Sequence, residues 1–478
     1  MKITVLSGSP KGEISVTLQY VKYFQKKHPD CRFEVFHIGR EIKSIERKPE
    51  LFAQIIEEVA NSDGVMWCTP VYLLLIPSQL KRFIELIFER GAEDAFKDKY
   101  ATTLTTSAHF YDHTAHNYLH AVSEDLEMRY VDGYSAEFND LLRPDERIQI
   151  RNFAERFFRY IEKEEPTGKA FMSVSRKMPE YVPGKIEDIP KTKNRRILFI
   201  TDASESDSNL ERMTDVFMKS APFKVELVNL NEMNLRGGCL GCLGCVYDGV
   251  CVYKDDMRDF FLDKLLRADA VIYAGSIKDR FLSSRWKMLF DRMFFNGHRP
   301  VFGGQQTAWI ISGPLKQIPN LRQVLEAFSG NPRMSNVGIV TDECVDSEQT
   351  TLLLKGLADQ IMWGTEVGFS RPPSFLGVGG HKVFRDLIYS MRGIMKADHD
   401  YYKENHLYDF PQKDLKSLAL NLLFLAMRSI PSLRNQMYKE GNKRMISPME
   451  KVLKEERSRG SAFPGSIGVL WSRELRGR

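Results

Sequence analysis

No apolar run in this sequence reaches the roughly 20 residues that a helical membrane span needs. The longest lies near Leu418–Met427 and is interrupted by Asn421. The opening segment, MKITVLSGSP, lacks the apolar core and cleavage site of a secretory signal and reads as a short strand entering a turn. Charge of one sign is scarce as well. The 68 basic and 63 acidic residues leave a net charge of +5. That surplus is poor footing for nucleic-acid binding, but it leaves room for phosphate-bearing small molecules or an acidic protein partner. Cysteine is sparse and odd in number, seven in 478 residues. Four of the seven fall within thirteen positions, Cys239 to Cys251. This clustering argues against a disulfide-stapled secreted scaffold and for a metal site in a reducing, cytoplasmic setting.

With 43% hydrophobic and 27% charged residues the chain is expected to be globular, and its length suits about two to four domains. Ile3–Leu6 reads as a buried strand, followed by the small-residue loop Ser7 to Gly12 and a helix bearing Leu18, Val21 and Phe24. Gly64–Cys68 is a second such strand. The helix after it places Leu80, Phe83, Ile84, Ile87 and Phe88 on one stripe. Apolar strands alternating with amphipathic helices predict a parallel sheet covered on both faces. Further strands are expected at Phe33–Phe36, Ala101–Thr106 and Ala170–Val174.

The same order returns. Ile197–Ile200 is a strand, Thr201–Ser208 a polar loop, and Ser208 with Glu211 a capping-box pattern. Leu210, Met213 and Phe217 give the next helix its apolar side, and Ala270–Ala274 is a strand. Trp286, Leu289, Phe290, Met293 and Phe294 repeat the spacing of the Leu80 helix, and Lys81 and Glu85 have counterparts in Lys287 and Asp291. Ile197 follows Ile3 by 194 residues, whereas Trp286 follows Leu80 by 206, so the second copy carries twelve additional residues between those points. The cysteine run lies in that interval. The expected architecture is α/β, two tandem doubly wound parallel-sheet domains over 1–176 and 195–368. A Pro-, Lys- and Glu-rich linker covers 177–194, and a partly helical C-terminal extension covers 369–478. In that extension Pro372-Pro373 breaks any helix, Phe375–Gly380 reads as a turn, and Leu415–Met427 is expected to pack back on a domain. The last twenty residues are expected to be poorly ordered.

Loops leaving the carboxyl ends of such strands bind ligands. The loop from Ser7 through Ser9, Pro10, Lys11 and Ser15 to Thr17 offers backbone N–H groups and small hydroxyls to an anion at a helix start. It has neither the G-x-G-x-x-G nor the Walker pattern, so an ordinary capped tight turn is the competing reading. Trp67, Thr69, Pro70, Val71 and Tyr72 supply flat, rigid groups suited to flank an aromatic ring. Ser107 and His109 lie on a third edge loop. Together the three loops suit a ligand with a phosphate at one end and a heterocycle at the other. His109, His113 and His116 are spaced to share a helix face, but without an acidic partner at ligand spacing they read as polar or site-rim histidines.

Cys239, Cys242, Cys245 and Cys251 recur at intervals of three, three and six, among glycines. Compact cysteine runs of this kind hold [4Fe–4S] cubes, whereas four-thiolate zinc sites divide their ligands into two separated pairs. Zinc and redox disulfides remain the alternatives. Cys31, Cys68 and Cys344 are isolated and read as small core residues, Cys68 beside the ring loop.

On these residues, positions 1 to about 345 resemble two tandem flavodoxin-like domains of the NAD(P)H-dependent FMN reductase superfamily. The second domain is similar to the iron–sulfur flavoproteins of anaerobic microbes. The resemblance implies that Gly8-Ser9-Pro10-Lys11, with Ser15 and Thr17, binds the FMN phosphate and that Pro70-Val71-Tyr72 lies beside the flavin. It also implies that the four clustered cysteines ligate a [4Fe–4S] cluster. The second domain departs from the pattern. Its phosphate loop carries Asp202, Glu205 and Asp207, and Ser276-Ile277-Lys278-Asp279 stands where the P-V-Y loop is expected. The expected assignment therefore divides the centres, with FMN on domain one and the cluster on domain two. The implied function is an iron–sulfur flavoprotein oxidoreductase or electron-transfer protein. NAD(P)H or a redox protein would be the donor, the acceptor is unassigned, and a homo-oligomer is left open. An FMN-only quinone or small-acceptor reductase with a structural zinc is one alternative. A non-enzymatic interaction protein is the other.

Overall fold

Twice along the chain, apolar strands alternate with amphipathic helices, and each series closes into one parallel sheet. The computed structural model describes residues 1–175, 177–204, 208–344 and 346–458. The first series is β1 (Lys2–Ser7), α1 (Val16–Lys27), β2 (Arg32–Phe36), α2 (Ile38–Arg47), α3 (Pro49–Ala60), β3 (Gly64–Pro70), α4 (Ser78–Glu89), β4 (Tyr100–Thr106), α5 (Asp112–Asp125), β5 (Arg129–Ala136) and α6 (Pro144–Glu162). Its strand order is β2-β1-β3-β4-β5, all pairs parallel.

The second series is β6 (Lys193–Thr201), α7 (Asn209–Ser220), β7 (Phe223–Asn229), α8 (Cys245–Asp248), α9 (Met257–Asp259), β8 (Ala270–Lys278), β9 (Phe281–Leu282), α10 (Ser284–Arg292), β10 (Gln306–Ser312), α11 (Pro319–Gly330), β11 (Ser335–Thr341) and α12 (Ser347–Val367). Its order, β11-β10-β8-β6-β7, is the first order read from the other edge, with β9 added antiparallel to β8. Both are the 2-1-3-4-5 order of the flavodoxin-like doubly wound fold. The cores repeat too: Ile3, Val5, Val21 and Met66 pack in one domain, and Phe199, Met213, Phe217 and Ile272 in the other.

Helices α13 (Phe375–Ser390), α14 (Lys396–Glu404), α15 (Leu415–Arg428) and α16 (Pro431–Ser458) follow. Two compact units result, Met1–His399 and Asp400–Arg478.

Two expectations fail here. Residues 170–174 form no strand. The Ala170 and Phe171 amides donate instead to the Glu124 carboxylate, and β5 takes the fifth place in the sheet. Phe375–Gly380 is the start of α13, not a turn. A Cβ on Gly380 would overlap the Asn331 side chain, and one on Gly377 would lie 3.1 Å from the Gly330 carbonyl. The glycines thus serve close approach to the end of α11, at a cost in helix propensity. In α15 the apolar side chains are exposed. The segment expected to be poorly ordered lies outside the described residues. Cys68 is in the core, but Cys31 and Cys344 are only partly buried.

The two domains meet along α4 and α10, and the contact is reciprocal. The Ser78 amide at the start of α4 donates to Asp291 Oδ2 on α10 (2.7 Å), and the Ser284 amide at the start of α10 donates to Glu85 Oε1 on α4 (2.5 Å). Each carboxylate caps the other domain's helix, where the helix dipole favours negative charge. Each also pairs with a lysine four residues before it, Lys81 with Glu85 (3.0 Å) and Lys287 with Asp291. The repeat seen in sequence is a pseudo-two-fold interface.

The Glu85–Glu89 side of this interface is expected to weaken in acid. Burial pushes the Glu85 carboxyl up, but Lys81, the Ser284 hydroxyl and Lys278 outweigh it and hold it below the ordinary carboxylate range. Glu89 behaves likewise, with hydrogen bonds from Arg82 and Lys278 overcoming burial and bringing it to about 2. A carboxyl depressed in the folded state contributes stability above its unfolded value of roughly 4.3, and that contribution is lost as pH falls through the folded value. Urea midpoints measured at pH 6 and near pH 3 should fall with pH. Glu89→Gln should reduce the fall by at most about 1 kcal/mol, since Glu89 is partly exposed. An equal fall in wild type and variant would remove Glu89 from the acid response.

Candidate functional site

The first loop is built around close approach. A Cβ on Gly8 would lie 2.6 Å from Thr69 Oγ1 and 2.7 Å from Leu80 Cδ2, so only glycine lets the chain pass over β3. Gly12, at φ +58°, then turns the backbone into the single turn that precedes α1. Pro10 and Lys11 are half-buried on this turn. Ser7, Ser9, Ser15 and Thr17 are all buried. Thr17 is tied to Thr106 through their hydroxyls at 2.6 Å, and Ser9 Oγ accepts from the Lys11 amide at 3.3 Å. Ser7 Oγ has no hydrogen-bond partner among the described residues, and Ser15 makes no side-chain capping bond at the start of α1. Buried hydroxyls are normally satisfied. Their unspent capacity, at a helix N-terminus, fits a phosphate.

The second loop leaves β3. Thr69 is buried and its hydroxyl donates to the Pro70 carbonyl at 3.1 Å. The Val71 amide donates to the Thr106 carbonyl at 3.1 Å, and Tyr72 and Leu75 close a tight turn in which Leu74 has φ +68°. Trp67 does not join this loop. It is fully buried in β3, stacks on Phe96 at 6.1 Å, and its indole N–H donates to Ser123 of α5 at 3.0 Å. It stands under α5, three residues short of the carboxyl end of β3, so it cannot screen a ring in the cleft. In the third loop the Ser107 hydroxyl accepts from the His109 amide. His109 itself is half-exposed, with Nδ1 2.7 Å from Asp112. His116 leaves this rim and bonds the Thr105 hydroxyl at 2.8 Å. With His113 and His120 it lines a separate polar groove of about 370 Å³.

The four clustered cysteines line one cavity, together with Tyr253, Asp291, Arg292 and Phe294. Their loop turns through left-handed residues at Gly241, Leu243 and Gly249. The Gly241 amide points at Cys239 Sγ, 3.4 Å away. Among the described residues, no three His, Cys, Asp or Glu side chains are placed to hold a single metal ion. Burial pushes the Cys239 thiol up to about 12 and Cys245 to about 11. Thiolates at these positions therefore need a cationic centre to offset desolvation.

Arg292, which no motif announced, clamps both ends of the loop. It donates to the Gly237 carbonyl (3.0 Å) and bidentately to Asp255 (2.8 and 2.8 Å), and stacks on Tyr253 at 4.4 Å.

This loop rests on the first domain. Gln79 Nε2 donates to the Cys239 carbonyl at 3.1 Å, and Lys43 donates to the Arg236 carbonyl. A Cβ on Gly241 would overlap the Tyr72 hydroxyl and stand 3.2 Å from Lys11 Cε. Lys287 donates to the Tyr72 carbonyl at 3.2 Å. The structure thus brings Lys11 and Tyr72 of one domain to the cysteine loop of the other. The Tyr72 hydroxyl is held well above its ordinary pKa, chiefly by burial and then by nearby Cys239, Asp291 and Cys242.

The second domain's own cleft is different. Asp202 occupies its loop after β6 and accepts from the Ser283 hydroxyl at 2.5 Å, with burial raising its pKa. Glu205 and Asp207 lie outside the described residues. At the end of β8 Lys278 pairs with Glu89, and beyond it Arg280 binds Asp125 (2.5 and 2.6 Å) and the Met172 carbonyl (2.8 Å). These ties draw the chain around Met172 over the cleft, leaving a polar cavity of about 640 Å³.

Residues 1–139 match the family model of the NADPH-dependent FMN reductases. An iron–sulfur flavoprotein of Archaeoglobus fulgidus is 28% identical over 207 residues, which is 41% of this chain and 92% of the relative. A flavoenzyme NAD(P)H:(acceptor) oxidoreductase from Paracoccus denitrificans is 20% identical, with a TM-score of 0.29 over 34% of this chain and 97% of that one. An NAD(P)H:quinone oxidoreductase from Methanothermobacter marburgensis is 12% identical, with a TM-score of 0.24 over 35% and 98%. With the same strand order in both sheets and the FMN reductase match on the first, the chain is a tandem flavodoxin-like protein and a flavin-dependent oxidoreductase.

Proposed function

We propose that this oxidoreductase divides two redox centres between its domains. FMN sits on Ser7–Thr17, Thr69–Tyr72 and the Ser107–His109 rim of the first. A [4Fe–4S] cluster sits on Cys239, Cys242, Cys245 and Cys251 of the second. The observation that supports this reading is the close approach of Gly241, in the cysteine loop, to the Tyr72 and Lys11 side chains of the first domain. A flavin accepts electron pairs and releases single electrons, which a cluster carries one at a time. NAD(P)H or a redox protein would be the donor.

The chain's own residues bind, position and seal. Ser7, Ser9 and Ser15 offer hydroxyls to the phosphate, and Lys11 offsets its charge. The turn at Leu74 fixes the Pro70-Val71-Tyr72 segment, and Lys287 holds that segment by its backbone. Arg292 fixes both ends of the cysteine loop and places a buried positive charge beside it, which would favour the more reduced, more negative state of any thiolate-ligated centre. No general acid or nucleophile is required of the protein.

Separate cysteine and loop variants test the division. In anaerobically prepared Cys245→Ser protein, iron and sulfide should fall by more than about half while flavin stays within about 20% of wild type. Parallel loss of flavin, with circular dichroism unchanged, would mean that the two groups share one site. Iron retained in full would remove the cysteines as ligands.

A further inference from the structure

The C-terminal unit carries two helices that the redox reading does not use. In α15, Leu415, Leu418, Leu420, Leu422, Leu423, Phe424 and Leu425 are all exposed. At 100° per residue these positions span an arc of about 260°, and Asn421 and Arg428 lie in the remaining gap. A helix that docks in a protein groove buries a narrow apolar stripe. A wide apolar arc with a narrow polar strip suits the plane of a membrane interface. Exposed apolar surface on this scale is unusual for a monomeric protein and marks an interaction site.

Two further observations select lipid. At 14 residues the helix is about 21 Å long, too short for a hydrocarbon core of roughly 30 Å, so it can lie in a membrane interface but not cross it. No helix among the described residues is long and apolar enough to cross a membrane. The helix also ends in a basic stretch, Arg428, then Arg434 and Lys439 in the first turns of α16, and no acidic residue interrupts 415–439. Basic residues beside an exposed apolar helix complement an anionic lipid surface, where each contributes about 1 kcal/mol and salt screens the effect.

We propose that α15 and the start of α16 form an interfacial anchor that seats this protein on anionic membrane surfaces. The occupant of the exposed apolar surface is the headgroup–acyl boundary of a bilayer. An oxidoreductase held this way would meet acceptors that live in the membrane plane.

Flotation of the full-length protein with vesicles tests the proposal. One set contains phosphatidylcholine alone and the other about one-third phosphatidylglycerol, each at about 50 and 500 mM salt. The expected result is recovery with the anionic vesicles at low salt, several-fold less at high salt, and little with phosphatidylcholine. Leu422→Glu/Phe424→Glu should lower the partition coefficient by about 100-fold. Both sites are exposed, and unchanged circular dichroism and flavin content would confirm that the fold survives. No flotation with either vesicle set would overturn the proposal. So would equal flotation of the double variant, or a concentration-dependent dimer that the double variant abolishes while vesicles are not bound. Flavin and iron contents are read in the same samples, so failure of the anchor is distinguishable from failure of the redox reading.

Discussion

Gly241→Ala is expected to unseat the cysteine loop from the first domain. Gly241 has φ +57°, where a side chain costs about 1 kcal/mol, and its Cβ would overlap the Tyr72 hydroxyl. Overpacking of a tight contact adds about 1–3 kcal/mol. The total, about 2–4 kcal/mol, is a large part of the stability of an ordinary domain. The two contributions are separable. Tyr72→Phe removes the hydroxyl but leaves the backbone strain and a ring carbon 2.8 Å from the new Cβ, so the double variant should recover only part of the overlap share, about 1–2 kcal/mol relative to Gly241→Ala alone. Denaturant midpoints of the four proteins measure this directly. Strict additivity would mean that Gly241 and Tyr72 do not touch in solution, and the juxtaposition of the two sites would fall with it.

Lys81→Met should have a still larger effect. Lys81 and Glu85 are almost wholly buried, and Glu85 also receives the Ser284 amide, the Ser284 hydroxyl and Arg82. Removing the lysine leaves a carboxylate in a low-dielectric interface. Breaking one side of such a pair typically costs about 3–5 kcal/mol. Lys81→Met/Glu85→Gln should be milder than the single change, because a neutral amide still accepts from Ser284 and no charge is stranded. The Lys287–Asp291 pair is the pseudo-symmetric test, with the same order expected for Lys287→Met and Lys287→Met/Asp291→Asn. Burial drives that pair toward neutrality, raising Asp291 and lowering Lys287, so its single variant should cost less than Lys81→Met. A Lys81→Met protein within about 0.5 kcal/mol of wild type would show that the α4–α10 contact does not hold the domains together.

The tandem fold was legible because parallel strands buried on both faces read as apolar runs, and because helices α4 and α10 repeat one pattern. Even the lysine–acid spacing repeated visibly. Its purpose did not, since nothing in an i, i+4 pair says that each carboxylate will cap a helix of the other domain. The edge strand β5, with sequence RYVDGYSA, lacks an apolar run because one side of it is half-exposed. Residues 170–174 carry strand-like composition, but their amides are taken by Glu124. At the site, the small-residue loop and the cysteine run were readable from local spacing. Trp67 departs from its expected place because adjacency in sequence is not adjacency in space: it lies in the body of β3 beneath α5 rather than on the loop. Arg292 was invisible for the opposite reason. It lies about forty residues beyond the cysteine loop it clamps, on a helix whose pattern speaks only of packing.

The central proposal is one flavin and one cluster, facing each other across the α4–α10 interface of a single chain. The most direct measurement is flavin, iron, acid-labile sulfide and zinc per chain in protein purified without oxygen. About one FMN with about four iron and four sulfide is the predicted result. Zinc without sulfide would contradict it and leave a flavin enzyme with a structural metal.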